Sequence, residues 1–563
     1  VVADTLLNYA LRAVYFLFGV GAALGLARWL VAATRERREQ WAQRISLGMV
    51  LLAVVYAVGH ARLLWDRDQI EAGRAMYARF GDPRLAELNR AEVRGWILDC
   101  NGSDATALAR YAVREGEVKR VYPLGEAGAN LVGGGDSAEV RDYTVERVFA
   151  PRLREPMSFA ERGQLHPAGT DLRLTLCAPA TLQAYRLLDQ TGLKGTVIVQ
   201  DVHNGALVAY AASGTASQAP FGIRRYALPG SVFKLALSAL WWDSGQPDEQ
   251  LPCPAEVKVS DRRPAIHNFE SHEYASLWAP REMLVVSCNT EAIMMSMELR
   301  RRIGPEAYID GLEKMGFAVY DTVPPRRPLD FWNSDNAAWL QRMSPPPSRV
   351  KLRQGRRYDA FEWAQTAIGQ GPVDVTPIAI SRFVSAIGNG GVMLPVTLEY
   401  DRLDDLPEGR PIMKPATAAR LQQAMLEVVQ KGTGVRALPI LQGSGWTMGG
   451  KTGTADVRRG HIPDGWFAGL MFGPDGRARY SVIVYLQNGG QGGHSAAPVA
   501  AMMTRWMAQQ TALQQRAKAQ GQPTAPAAPP PPVGRMQGSE ESDSMIAPSQ
   551  QQPPAARPRR RGR

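Results

Sequence analysis

Hydrophobic and polar positions divide the chain into zones of different period. Ala13 to Ala27 is an unbroken apolar run that continues to Ala33 with only Arg28 intervening, and a second run extends from Ile45 to Gly59. A bilayer span takes about 20 apolar residues, so residues 1–66 are expected to form a membrane anchor of two transmembrane helices. The link Thr34 to Arg44 holds four Arg and two Glu. Cytoplasmic loops carry an excess of Arg and Lys, so this link (34–44) is expected in the cytoplasm and everything after Trp65 outside it. The alternative, one true span beside a buried or interfacial amphipathic helix, leaves the large remainder on the same side. The chain opens Val1-Val2 rather than with Met, as a piece of a longer precursor would.

Asp66 to Ala91 reads as a charged helical connector. Glu92 to Thr170 mixes short β-like runs such as Val118 to Tyr122 with glycine clusters such as Gly133-Gly134-Gly135. Residues 67–170 are therefore expected to form a small α+β spacer. A new pattern starts with the alternation Leu172-Arg173-Leu174-Thr175-Leu176. A helical stretch follows, then the strand Gly195 to Asp201, which the turn His203-Asn204-Gly205 joins to Ala206 to Tyr210 as a hairpin. Helical and strand patterns mix to about Gln510, so 171–510 is expected to be the large domain. Residues 511–563 are rich in Gln, Pro and Ala, cannot bury enough apolar surface, and are expected to be disordered.

Composition narrows the class. Of 563 residues, 45% are hydrophobic and 21% charged, which excludes a wholly disordered chain, a collagen and a multi-span transporter. The net charge is +11, but Arg557, Arg559, Arg560, Arg561 and Arg563 supply much of it in a tail without acids. The middle is close to balanced, which argues against nucleic-acid binding. Four cysteines are too few for a disulfide scaffold, and Cys100, Cys177, Cys253 and Cys288 form no C-x-x-C pair. Cys288 is expected as a small packed thiol rather than a redox-active residue or a disulfide partner of Cys253. His267 and His272 form a close histidine pair without a third ligand nearby, so no metal is expected.

Three short motifs carry chemistry. Pro229-Gly230-Ser231-Val232-Phe233-Lys234 opens an apolar helical run that continues from Leu235 to Trp242. The Pro-Gly pair places Ser231 near a helix start, and Lys234, one turn later, can bring its amine beside the serine hydroxyl. A serine hydroxyl attacks only when a base takes its proton, and a desolvated lysine with another cation nearby can serve. Ser287-Cys288-Asn289 offers a hydroxyl and a carboxamide on one bend. Gly450-Lys451-Thr452-Gly453-Thr454-Ala455 reads as a strand whose glycines permit close backbone approach, which suits an edge that accepts an extended substrate.

Together these motifs resemble the penicillin-binding protein family, in order and in spacing: Ser287 lies 56 residues after Ser231, and Lys451 lies 164 after Ser287. Ala367-Ile368-Gly369-Gln370-Gly371 with Thr376-Pro377, Gly432-Thr433-Gly434, and Trp466-Phe467 also fit its pattern. Arg94-Gly95-Trp96-Ile97-Leu98-Asp99-Cys100-Asn101-Gly102, Arg120-Val121-Tyr122-Pro123-Leu124-Gly125 and Leu174-Thr175-Leu176-Cys177 are similar to signatures of its class B members. Cys100 stands where Arg is usual, and Cys177 where Asp is usual. The resemblance implies an α+β fold: the penicillin-binding transpeptidase domain, an antiparallel sheet sandwiched by helices, on a pedestal resembling a dimerisation domain.

The resemblance also implies roles. Ser231 would attack the penultimate D-alanine carbonyl of a stem pentapeptide, with Lys234 as general base. Ser287 would relay a proton with Lys451, whose charge helps to hold Lys234 neutral. Asn289 would orient the substrate amide, Thr452 and Thr454 would contact the donor carboxylate region, and Gly453 would bind substrate between them. The backbone N–H groups of Ser231 and Thr454 would form the oxyanion hole. An amine of a neighbouring stem would then resolve the acyl-enzyme into a crosslink, with no cofactor. β-Lactams would acylate the same serine, and a SEDS-type lipid II polymerase in the membrane would be the partner. The alternatives are a penicillin-binding sensor or scaffold without turnover, and a D,D-carboxypeptidase or β-lactamase.

Overall fold

The computed structural model describes residues 94–520, apart from 115–116, 135–142, 155–169, 216–217, 321–330, 335–339, 341, 352–358 and 457–459, and six helical residues between 48 and 57. The expected connector and basic tail, and nearly all of the expected membrane helices, lie outside the described residues. No described helix is long and apolar enough to cross a membrane. The chain divides into two compact units, Val1–Ala91 and Glu92–Arg563, and nearly all of the described residues belong to the second.

The chain enters this unit through β1 (Ile97–Leu98), which pairs in parallel with β2 (Leu172–Arg173) across the expected boundary at 170. The alternation Leu172 to Leu176 continues as a strand only to Arg173; Leu174 then bridges Glu399 before the chain turns into α1 (Ala178–Gln190). Asp99 holds this corner, its carboxylate accepting from Ala178 N at 3.2 Å. The buried Glu146 receives Arg94 at 2.8 Å and Arg120 at 2.9 Å, which ties two of the arginines from the motifs to one carboxylate. Cys100 and Cys177, the two departures in that region, are joined to each other by a disulfide. They are one coupled change, a covalent link between β1's loop and the start of α1. Connectivity of this kind depends on a fold that brings positions 77 apart together, so composition alone misses it.

Beyond α1 come β3 (Gly195–Asp201) and β4 (Leu207–Ala212). The turn between them needs Gly205: its φ is +72°, and a Cβ there would meet Pro395 O at 2.1 Å. The helices α2 (Lys234–Asp243), α3 (Arg281–Val286), α4 (Asn289–Ile303), α5 (Pro377–Gly388) and α6 (Pro415–Lys431) follow. The strands β5 (Thr447–Ala455), β6 (Asp464–Phe472) and β7 (Ala478–Leu486) and the helix α7 (Ala496–Ala519) complete the unit. Helix α7 runs past residue 510 because Ala, Gln, Arg and Lys, which fill its last turns, are strong helix formers.

The five-stranded sheet has the order β5-β6-β7-β3-β4, every pair antiparallel. Side chains alternate between its faces with period two. Val197, Val199, Val482 and Val484 point to a cluster with α1 and α7, while Ile198, Ile483 and Trp466 point to the larger core with α2 and α5. Both faces are covered, so all nine residues of β6 are buried. This is the expected antiparallel sheet between helices, and it leaves β5 as an outermost strand.

Candidate active site

Three backbones meet where Ser231 stands. Gly230–Phe233 is a 3-10 turn leading into α2. Gly230 has φ +53° and its N–H donates to Gly369 O at 2.9 Å, while a Cβ on it would meet Thr454 O at 2.6 Å. A Cβ on Gly369 would meet Gly230 O at 2.1 Å. Only glycine permits this stacking of the serine turn between the end of β5 and the Gly369-Gln370-Gly371 turn. Gln370 Nε2 adds a hydrogen bond to Thr454 O at 3.3 Å. Ser231 is left partly exposed at the head of α2, whose residues Lys234 to Trp242 are all buried. A helix apolar all round belongs in a core, and Lys234 goes in with it.

The second motif is built on strained backbone. Ser287 ends α3 in the left-handed conformation, φ 62° and ψ 35°, which costs a non-glycine residue about 1–3 kcal/mol. The turn lets one residue face the lysine with both its carbonyl and its hydroxyl. Lys234 Nζ donates to Ser287 O at 2.7 Å, to Asn289 Oδ1 at 2.8 Å and to Ser287 Oγ at 3.4 Å. The amine expected beside Ser231 is thus turned toward this bend. Asn268, which sequence reasoning missed, fixes the bend from behind. Its Oδ1 accepts from the backbone of Asn289 at 2.8 Å and of Thr290 at 3.1 Å, capping α4, and its Nδ2 donates to Pro254 O at 2.8 Å. A lone Asn in a loop carries no sequence signal for this task. Cys288 is not a free thiol as expected but is joined to Cys253 by a disulfide. The fold brings the strand Glu249–Cys253 against the start of α4, so the pair is in reach.

The third motif is β5 itself. Lys451 Nζ donates to Ser287 Oγ at 2.8 Å and to Thr452 O at 3.0 Å. Thr452 Oγ1 shares a 2.6 Å hydrogen bond with Thr433 Oγ1, within the Gly432-Thr433-Gly434 turn. Gly453 and Thr454 pair with Trp466 and Gly465 on the inner side. Ser231, Ser287, Asn289, Thr452 and Thr454 line a cleft of about 980 Å³, which Arg436 and Asp456 also border. All eight sequence-predicted site residues therefore sit at or directly behind one cleft.

Burial decides the charges. Lys234 and Lys451 have no exposed surface. Burial, and then the charge of Lys451, hold the Lys234 amine well below its ordinary value, with Glu291 opposing. Burial alone brings Lys451 down to about 7. Glu291, a further group that the sequence reading passed over, is pushed up from the usual carboxylate range by burial, with Lys234 opposing. Desolvation and like charge both favour the neutral amine. The arrangement supplies a partly exposed hydroxyl, a buried neutral amine and an outer strand that can bind an extended chain. Among the described residues no cluster of His, Cys, Asp and Glu is arranged to hold a metal.

Comparison with known proteins finds relatives in sequence and in fold. The sequence model of the penicillin binding protein transpeptidase domain matches residues 195–505. The chain is 25% identical over 412 residues to the probable peptidoglycan D,D-transpeptidase FtsI of Caulobacter vibrioides, covering 69% of this chain and 62% of that one. It is 26% identical over 388 residues to the probable peptidoglycan D,D-transpeptidase PenA of Neisseria meningitidis, covering 61% of this chain and 59% of that one. It thus spans about three fifths of these curated relatives. In fold it is similar to penicillin-binding protein A from Mycobacterium tuberculosis in a ceftriaxone acyl-enzyme complex. The TM-score is 0.59 at 21% identity, over 74% of this chain and 98% of that one.

Proposed function

The chain belongs to the penicillin-binding protein transpeptidase family, on its class B branch, and we propose that it is a peptidoglycan D,D-transpeptidase working through an acyl-enzyme on Ser231. One observation carries this reading: Ser287 Oγ receives Lys451 at 2.8 Å and Lys234 at 3.4 Å, beside the turn that presents Ser231. A neutral lysine has two N–H bonds and one lone pair. Ser287 O and Asn289 Oδ1 accept the two N–H bonds at 2.7 and 2.8 Å, leaving the lone pair to take a proton.

In this mechanism Ser231 Oγ adds to the penultimate D-alanine carbonyl as its proton passes to Lys234. The N–H groups of Ser231 and Thr454 stabilise the oxyanion, each worth about 3 kcal/mol in the transition state. Collapse breaks the peptide bond, and the departing D-alanine amine takes the proton back through Lys234 and the Ser287–Lys451 pair. The substrate backbone lies along Thr452, Gly453 and Thr454 as an added strand, with its amide oriented by Asn289. The amine of a second stem then attacks the ester and restores the serine.

Two disulfides, Cys100–Cys177 and Cys253–Cys288, support an oxidising compartment for this unit. That agrees with residues 1–66 as a two-helix anchor in the inner membrane, with residues 67–170 as a pedestal and 171–510 as the catalytic domain outside the cytoplasm. The apolar runs and the 67–170 segment would dock a SEDS-type lipid II polymerase, since two helices exceed what anchoring needs. Replacing both helices with an unrelated two-span anchor, and separately deleting 67–170, tests this. If both variants still co-purify with the polymerase, the interface lies elsewhere.

The reaction itself is tested with a stem-pentapeptide donor and an amine acceptor. A transpeptidase releases D-alanine and forms crosslinked product. Release with hydrolysed donor alone would mean a carboxypeptidase, and no release with persistent β-lactam label would mean a sensor.

A further inference from the structure

Glu291 is out of keeping with its surroundings. It has no exposed surface, and neither carboxyl oxygen has a hydrogen-bond partner among the described residues. An ionisable side chain is seldom left buried and unpaired, because the cost reaches several kcal/mol unless a charge answers it. It sits in the first turn of α4, two residues after Asn289, which accepts from Lys234. Helix α4 packs against α2, which Lys234 opens. Its backbone is held in place, since Glu291 N donates to Cys288 Sγ of the disulfide at 3.3 Å.

We propose that Glu291 is a positioning residue for the general base, a buried counter-charge that sets how readily Lys234 holds a proton. This rests on the reading of Lys234 as the base for Ser231. The charged groups acting on Lys234 are Lys451 on β5 and Glu291. Those acting on Glu291 are Lys234 and Glu282 of α3. His267, on a strand packed against α4, is exposed and faces Glu256 at 3.3 Å. Lys234 is therefore acted on by one cation and one carboxyl of opposite effect. Lys451 disfavours a charged Lys234, and an ionised Glu291 favours it. When Lys234 takes the proton of Ser231, the ammonium forms in a dry site beside Lys451, and Glu291 is the group that offsets it. The two groups titrate as a pair, so the wild-type pH profile of acylation reports both.

A carboxylate in the pair can only raise the proton affinity of Lys234, so its removal can only lower it. Glu291→Gln, and Glu291→Met, which keeps the volume without a polar group, should move the acid limb of β-lactam acylation to lower pH. The expected shift is about one unit. The high-pH plateau should fall, because a less basic amine is a weaker general base. Glu291→Asp should restore part of the wild-type profile. The probe is the second-order acylation rate of a fluorescent penicillin between pH 5 and 10, with melting temperatures as the control for folding. A purely packing role would lower the rate equally at every pH. An unmoved limb in either folded variant would overturn the proposal while leaving Ser231 acylation intact. Absence of acylation in the wild-type protein would overturn the functional reading, and this inference with it.

Discussion

Lys451 Nζ lies 2.8 Å from Ser287 Oγ although 164 residues separate them, and this hydrogen bond joins the outer strand β5 to the left-handed turn that ends α3. Lys451 is buried, whereas Ser287 is half-buried in the wall of the cleft. The hydroxyl of Ser287 is therefore a hydrogen-bonding partner that the two lysines share, at 2.8 Å from Lys451 and 3.4 Å from Lys234.

Lys234→Ala removes the amine that takes the serine proton. General-base removal typically costs about 10²–10⁴-fold in rate. The acylation rate of a β-lactam should fall by that factor while circular dichroism remains native, since the helix gains a good former at its first position. Unchanged kinetics in the folded variant would remove Lys234 from the role.

The buried Lys451 makes stability depend on pH with a definite sign. Its value falls from 10.5 in the unfolded chain to about 7 in the fold. The folded state thus binds fewer protons than the unfolded one between these values, and stability rises with pH across that window. Lys451→Met abolishes this cost, on the order of a few kcal/mol, less about 1 kcal/mol for each of its two hydrogen bonds. The melting temperature of the variant should exceed wild type most at or below pH 7, and the gain should shrink toward pH 10. A gain that grew with pH would contradict the assignment.

The Cys253–Cys288 bridge closes a sequence separation of 35 residues next to Ser287. Loop-closure entropy puts its worth at about 3–4 kcal/mol. Cys253→Ser should lower thermal stability accordingly. It should also slow acylation roughly five- to tenfold, because Ser287 is freed to leave its strained conformation. Equal acylation rates with and without the bridge would show that Asn268 alone secures the bend.

The membrane topology is testable by cysteine labelling on a background in which the four native cysteines are replaced. Single cysteines in the 34–44 link should be protected from impermeant reagent in intact cells, and one just after Trp65 should be labelled. The reverse pattern would refute the two-helix anchor.

What could be read in the sequence, and what could not, follows the range of the interactions. The meeting of Ser231, Lys234, Ser287, Asn289 and Lys451 at one cleft was legible because the proposed chemistry demands those residue types in short fixed patterns. The hairpin of β3 and β4 was legible because its turn chemistry and period are local. Strand β2 was overestimated because its last positions bridge Glu399 and then turn into α1, a competition set by tertiary neighbours. The pairing of Cys100 with Cys177 appeared in the sequence only as two separate departures, since nothing local to either says that they meet. Asn268 and Glu291 act through positions that α3, α4 and the 249–279 segment create together, and each alone looks like an ordinary polar residue.

The proposed reaction depends on Ser231 as the acylated nucleophile. The most direct measurement is to label the protein with a fluorescent penicillin, digest it and map the adduct by mass spectrometry, beside Ser231→Ala. A single adduct on the peptide containing Ser231, absent from the variant, is the predicted result. An adduct on another residue, or undiminished labelling of Ser231→Ala, would contradict it.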